Sequence, residues 1–152
     1  MFVDGSVVCN LKSREKFAAI HELLTKASVF RKIKDISLFE QAVVAREKKL
    51  STGLGHGVAF AHGKTDTVDS LYVALGISKS GIDYEALDGN PVYLLFMVAN
   101  PPDGHVEYLK LISAISRMIR NTEFRDRIVT MTDEKEIELE FRQALEKLEA
   151  YC

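Results

Sequence analysis

Eight consecutive residues, Val92–Ala99 (Val-Tyr-Leu-Leu-Phe-Met-Val-Ala), follow directly on Pro91 without a single charged side chain. Successive side chains of a strand point to opposite faces, so a half-exposed strand alternates apolar and polar residues. A run without alternation is covered on both faces, which places it at the centre of a helix-flanked sheet. Two other segments read as strands. Val58–Ala61 is a short apolar stretch that stops at His62-Gly63, and Ser70–Ile77 is rich in β-branched and aromatic residues. Ser80-Gly81 and Asp88-Gly89 mark turns, and Asn100-Pro101-Pro102-Asp103-Gly104 breaks the chain firmly.

Helical spacing occupies the rest. Ser13 is predicted to cap a helix running to about Lys26, with Phe17, Ile20, Leu24 and Ala27 on one face. Ser37 and Glu40 have capping-box spacing ahead of Leu38, Phe39, Ala42 and Val43, and that helix should end near Lys48–Lys49. A third helix is expected from about His105 to Arg120, its apolar face formed by Tyr108, Leu111, Ile112, Ile115, Met118 and Ile119. Thr122 should cap a short helix through Val129. Thr132 should cap the last, with Ile137, Phe141, Leu145 and Leu148 inward. The Glu134–Glu149 charge pattern reads as a solvated face. The order α-α-β-β-β-α-α-α predicts an α/β sandwich, a central sheet flanked by helices. At 152 residues without internal repeats, the chain is expected to form one domain over 1–152.

Charge narrows the partners. A net charge of −2 gives no basic footprint for nucleic acid or an anionic membrane. No apolar run is long enough to span a bilayer, and the N-terminal Met-Phe-Val-Asp-Gly-Ser lacks signal-peptide features, so a cytoplasmic location is expected. Cys9 and Cys152 are the only cysteines, with no zinc-knuckle spacing, so free thiols and no metal are expected.

Residues 46–63 hold the chemistry. Arg46 precedes Ser51-Thr52-Gly53-Leu54-Gly55-His56-Gly57, the apolar strand follows, and His62-Gly63 closes the stretch. Alternating glycines allow tight bends and close approach. An imidazole at a strand end, an arginine and a loop of backbone N–H groups together point to phosphate chemistry.

This stretch resembles the fructose/mannitol-type enzyme IIA domain of the bacterial phosphotransferase system, whose signature is an arginine, Ser-Thr-Gly-x-Gly-Asn-Gly, an apolar strand and Pro-His-Gly. Gly81-Ile82-Asp83-Tyr84, Asp88-Gly89-Asn90-Pro91-Val92 and Glu107-Tyr108-Leu109-Lys110-Leu111-Ile112 extend the likeness over most of the chain. The resemblance implies a mixed sheet of about five strands. It also implies that His62 takes a phosphoryl group from a histidine-containing phosphocarrier protein and passes it to an enzyme IIB domain, without cofactor or metal. Arg46 would then steady the phosphoryl group, with Ser51, Thr52, Gly53, Gly55, His56 and Tyr108 around the phosphate. Three residues depart from the family pattern. Ala61 replaces a proline, His56 an asparagine, and Tyr108 a second histidine, for which His105, one helical turn earlier, is a possible substitute.

Other readings stay open at this level. A nitrogen-type regulatory IIA protein resembles the same family and acts by phosphorylation-dependent binding to target proteins. A metal-dependent hydrolase using His56 and His62 lacks a third ligand at diagnostic spacing. A scaffold that has lost transfer is a further reading. His21, beside the first helix's apolar stripe, reads as structural or exposed.

Overall fold

The computed structural model describes residues 2–150, with side chains to Leu148. In chain order the elements are β1 (Val7–Val8), α1 (Lys16–Lys26), a 3-10 turn (Ser28–Lys32), α2 (Ile36–Lys49), β2 (Gly53–Gly55), β3 (Val58–Lys64), β4 (Tyr72–Ile82), β5 (Val92–Asn100), α3 (His105–Arg120), α4 (Thr122–Thr130) and α5 (Glu134–Ala150). The sheet is mixed, with strand order β1-β4-β5-β3-β2. β1 runs parallel to β4 and β3 parallel to β5, while β4 is antiparallel to β5 and β2 to β3.

The uninterrupted apolar run is explained by two cores. Leu95, Met97 and Ala99 of β5 face α1, the 3-10 turn and α2, with Ile20, Leu23, Phe30, Phe39 and Val43. Leu94, Phe96 and Val98 face α3, α4 and α5, with Leu111, Ile115, Ile128 and Phe141. Each fully buried side chain of this size stabilises the fold by roughly 1.5–3 kcal/mol.

Several local expectations are corrected. Glu15, not Ser13, caps α1, accepting from the N–H groups of Phe17 and Ala18. Asp35 caps α2 through the Leu38 N–H, and Glu40 pairs instead with exposed His21 at 2.8 Å. Leu38 is exposed. β3 continues through His62 and Gly63 to Lys64, because β5 pairs with it throughout. β4 starts at Tyr72 and continues past Ser80-Gly81, which forms an irregularity within the strand, the Gly81 N–H donating to Ser78 Oγ at 3.0 Å. Asn121 caps α4, and Asp133 accepts from the N–H groups of Lys135 and Glu136 at the start of α5. Glu138 is buried within the supposedly solvated face, 3.7 Å from Arg142. Cys9 is buried with a free thiol, whereas Cys152 lies outside the described residues. Among the described residues no helix is long and apolar enough to cross a membrane.

Candidate active site

His62 sits on β3 opposite Val98 of β5, half-buried. Alternation puts it on the same face as Val58 and Phe60, toward α3. β2 accompanies β3 only as far as Phe60, whose N–H donates to the Thr52 carbonyl at 3.2 Å. The Phe60 carbonyl therefore faces an edge with no strand beside it. His62 Nδ1 takes that position, 3.1 Å from Phe60 O. A carbonyl oxygen only accepts, so in the neutral ring Nδ1 carries the proton and Nε2 keeps its lone pair.

Gly63 explains how closely α2, the helix that bears Arg46, approaches β3. A Cβ there would stand 2.9 Å from Val43 Cγ2 and 3.1 Å from Phe39 Cε1. Glycine, together with the small residues Ala59 and Ala61 on the same face, lets α2 lie directly on β3. Arg46 follows Val43 by one helical turn, in the last turn of α2. Its Nη1 donates to the Leu50 carbonyl at 2.9 Å. Tyr108, in the second turn of α3, places its ring centroid 5.4 Å from that of His62, tilted by 43°. Burial pushes the Tyr108 hydroxyl above its ordinary pKa, and the Arg46 charge pulls it partly back. Tyr108 is thus a protonated donor at neutral pH, within reach of the Arg46 field.

The family described as "Phosphoenolpyruvate-dependent sugar phosphotransferase system, EIIA 2" matches residues 1–144. The chain belongs to this EIIA family. It is 34% identical over 132 residues to the fructose-specific EIIABC component of Bacillus subtilis, covering 87% of this chain but only 21% of that protein. It is 30% identical over 127 residues to a nitrogen regulatory protein of Bradyrhizobium diazoefficiens, covering 84% of this chain and 82% of the relative. The fold matches enzyme IIA of the Escherichia coli mannitol system, solved in complex with phosphorylated enzyme IIB, with TM-score 0.76, 20% identity, and coverage of 91% and 94% of the two chains.

Several polar groups of the loop motif in this EIIA chain bond elsewhere within the protein. Thr52 gives its N–H and hydroxyl to Glu47, at 2.8 and 2.6 Å. Ser51 Oγ donates to the Tyr84 carbonyl at 3.2 Å and accepts the Gly53 N–H at 3.1 Å. The Thr52 N–H and hydroxyl, the Ser51 hydroxyl and the Gly53 N–H are thus spent within the protein. Gly55 leads into a tight β2–β3 turn in which His56 and Gly57 have φ of 58° and 76°. Positive φ at both central positions is a type I′ hairpin, which favours Asn-Gly. His56 is tolerated there and stays exposed. It lies beyond Val58, and about 13 Å of strand separates Val58 from His62. The paired-histidine metal reading therefore has its two ligands at opposite ends of β3. Among the described residues no group of three potential metal ligands exists. Ala61 keeps its place in the ladder opposite Met97, and His105 is exposed at the start of α3.

Sequence reading missed Lys16, Glu47 and Tyr84, buried polar residues beside Thr52. The signal was present. Glu47 continues the buried Phe39-Val43 spacing, and Lys16 precedes Ile20 and Leu23 on the stripe of α1.

Proposed function

We propose that this EIIA domain is a phosphoryl carrier acting through Nε2 of His62. The observation that carries this reading is the Nδ1 bond to the Phe60 carbonyl, which leaves Nε2 as the nucleophile. The lone pair of Nε2 attacks the phosphorus of a phosphohistidine on the phosphocarrier protein. The donor P–N bond breaks, its electron pair returns to the donor ring, and a P–N bond to His62 forms. His62 now carries both the phosphoryl group and the Nδ1 proton, so its ring gains positive charge. The Phe60 carbonyl stabilises that charge. Arg46 offsets the charge spread over the phosphoryl oxygens, and the Tyr108 hydroxyl donates to one of them. The reverse chemistry delivers the group to an enzyme IIB domain.

The likeness to a nitrogen regulatory protein over most of both chains supports a second reading. The same phosphohistidine would then switch binding to a target protein, because two added negative charges change the surface around His62. Incubation with enzyme I, the phosphocarrier and phosphoenolpyruvate tests the shared chemistry. Mass spectrometry at neutral to alkaline pH should place one phosphoryl group on His62. Labelling retained in His62→Ala rejects the assignment. Onward transfer to a IIB domain separates the carrier reading from the regulatory one.

A further inference from the structure

Next to Arg46 in sequence lies a buried carboxylate that the transfer chemistry above does not use. Glu47 is 2% exposed. Its Oε1 accepts the Thr52 N–H at 2.8 Å and its Oε2 the Thr52 hydroxyl at 2.6 Å. That spends the Thr52 proton, so the Tyr84 hydroxyl is the donor in its 3.2 Å contact with Thr52 Oγ1. Burial and then the Glu47 charge push the Tyr84 hydroxyl far above its ordinary pKa, keeping it protonated. Lys16 Nζ stands 3.7 Å from Glu47 Oε1, its side chain 5% exposed, and 5.3 Å from the Tyr84 ring centroid.

Burying such a pair is expensive, and apolar residues of similar volume often stabilise as well. Stability alone is a weak reason for the arrangement. Its geometry offers a better one. Glu47 ties the last turn of α2 to Thr52, two residues beyond the C-cap Leu50. Ser51 is held in turn by the Tyr84 carbonyl. Leu50 is therefore fixed from both sides, and its carbonyl is the acceptor that holds the Arg46 guanidinium.

We infer that Glu47 is a positioning residue for phosphoryl transfer: by clamping the α2–β2 corner it fixes the Leu50 carbonyl, and through it the aim of Arg46. This rests on the phosphoryl-carrier reading. A misplacement of about 1 Å in a transition-state contact costs up to about a hundredfold in rate, so a loosened corner is kinetically visible while the fold persists.

The test is single-turnover transfer from the phosphorylated carrier to the full chain, for wild type, Glu47→Gln, Arg46→Ala and the double variant, alongside thermal melts. Glu47→Gln should slow transfer about tenfold without changing the half-saturating carrier concentration. In the Arg46→Ala background it should matter less than about twofold, because no guanidinium remains to be aimed. Wild-type speed in Glu47→Gln, or a full effect persisting without Arg46, overturns the inference. Should Glu47→Gln not fold, Thr52→Val removes the hydroxyl bond while keeping the N–H bond. It should slow transfer in the same Arg46-dependent way, with Thr52→Ser restoring the rate. An effect of Thr52→Val independent of Arg46 overturns the inference equally. An unlabelled wild type sinks the carrier reading and this inference together; a labelled wild type with fast Glu47→Gln sinks the inference alone.

Discussion

The Tyr108 ring stands 5.4 Å from the His62 ring, tilted by 43°, on the helix that packs against the face of β3 from which His62 projects. A phenol here differs from an imidazole in one respect that matters. It donates a hydrogen bond but does not become cationic near neutral pH. Tyr108→Phe removes only the donor and should slow phosphorylation of His62 several-fold, with little change in the melting temperature. Tyr108→His should transfer at an equal or faster rate. A large loss in Tyr108→His would show that the ring's packing, rather than its donor, is what the site needs. Rapid-quench transfer assays distinguish these outcomes.

Arg46→Ala should reduce the transfer rate by about a hundredfold, the scale of one lost transition-state donor. Arg46→Lys keeps the charge but loses the planar fork, so its rate should fall between the two. Circular dichroism should be unchanged in both, because Arg46 is only partly buried and bonds a carbonyl at the helix end. Wild-type kinetics in Arg46→Ala would remove the guanidinium from the site.

Gly63→Ala should be costly although alanine is small. The new Cβ would meet Val43 Cγ2 at 2.9 Å and the Val43 backbone nitrogen at 3.1 Å. Overpacking of this kind costs about 1–3 kcal/mol. Relief requires α2 to move off β3, which shifts the helix end that bears Arg46. Urea denaturation and transfer kinetics should therefore fall together; a stable variant with a wild-type rate would contradict the packing described.

Acid should loosen the entry to α1. Burial raises the Glu22 pKa, but hydrogen bonds from Lys26 and from the Lys12 and Ser13 N–H groups outweigh it, bringing it from 4.5 to about 2. A lowered folded pKa contributes stability that is fully present above the unfolded value and lost as pH falls through the folded one. Glu22 should thus contribute fully above about pH 4.5 and progressively less down to about pH 2. Denaturation curves across that range should show a shallower loss in Glu22→Gln. An unchanged slope would mean that Glu22 is not the group responsible.

Much of this was written locally. The span His105–Arg120 was readable to the residue because six apolar side chains recur at helical spacing. Val92–Asn100 was readable as a central strand because no polar side chain interrupts its apolar run before Asn100. The short strands were not. Val7–Val8 and Gly53–Gly55 are too brief to show a period, and the glycines of β2 read equally as an anion-binding loop because glycines serve both purposes. Ser80-Gly81 has the composition of a turn, yet pairing with β5 resumes at Ile82.

By itself, the order of residues determined which of the longer segments coil or extend, and that an imidazole and a glycine follow a short apolar strand. Those properties depend on side-chain spacing within a few turns or pleats, which a linear text records. Only the tertiary structure decided that Tyr108 closes on His62, while His56 is carried to the other end of the strand. It also revealed that Thr52 and Glu47 spend their polar atoms on each other. Which groups meet depends on strand order, on the short reach of β2 and on how closely α2 can lie on Gly63. Such distances arise between layers, and no local period encodes them.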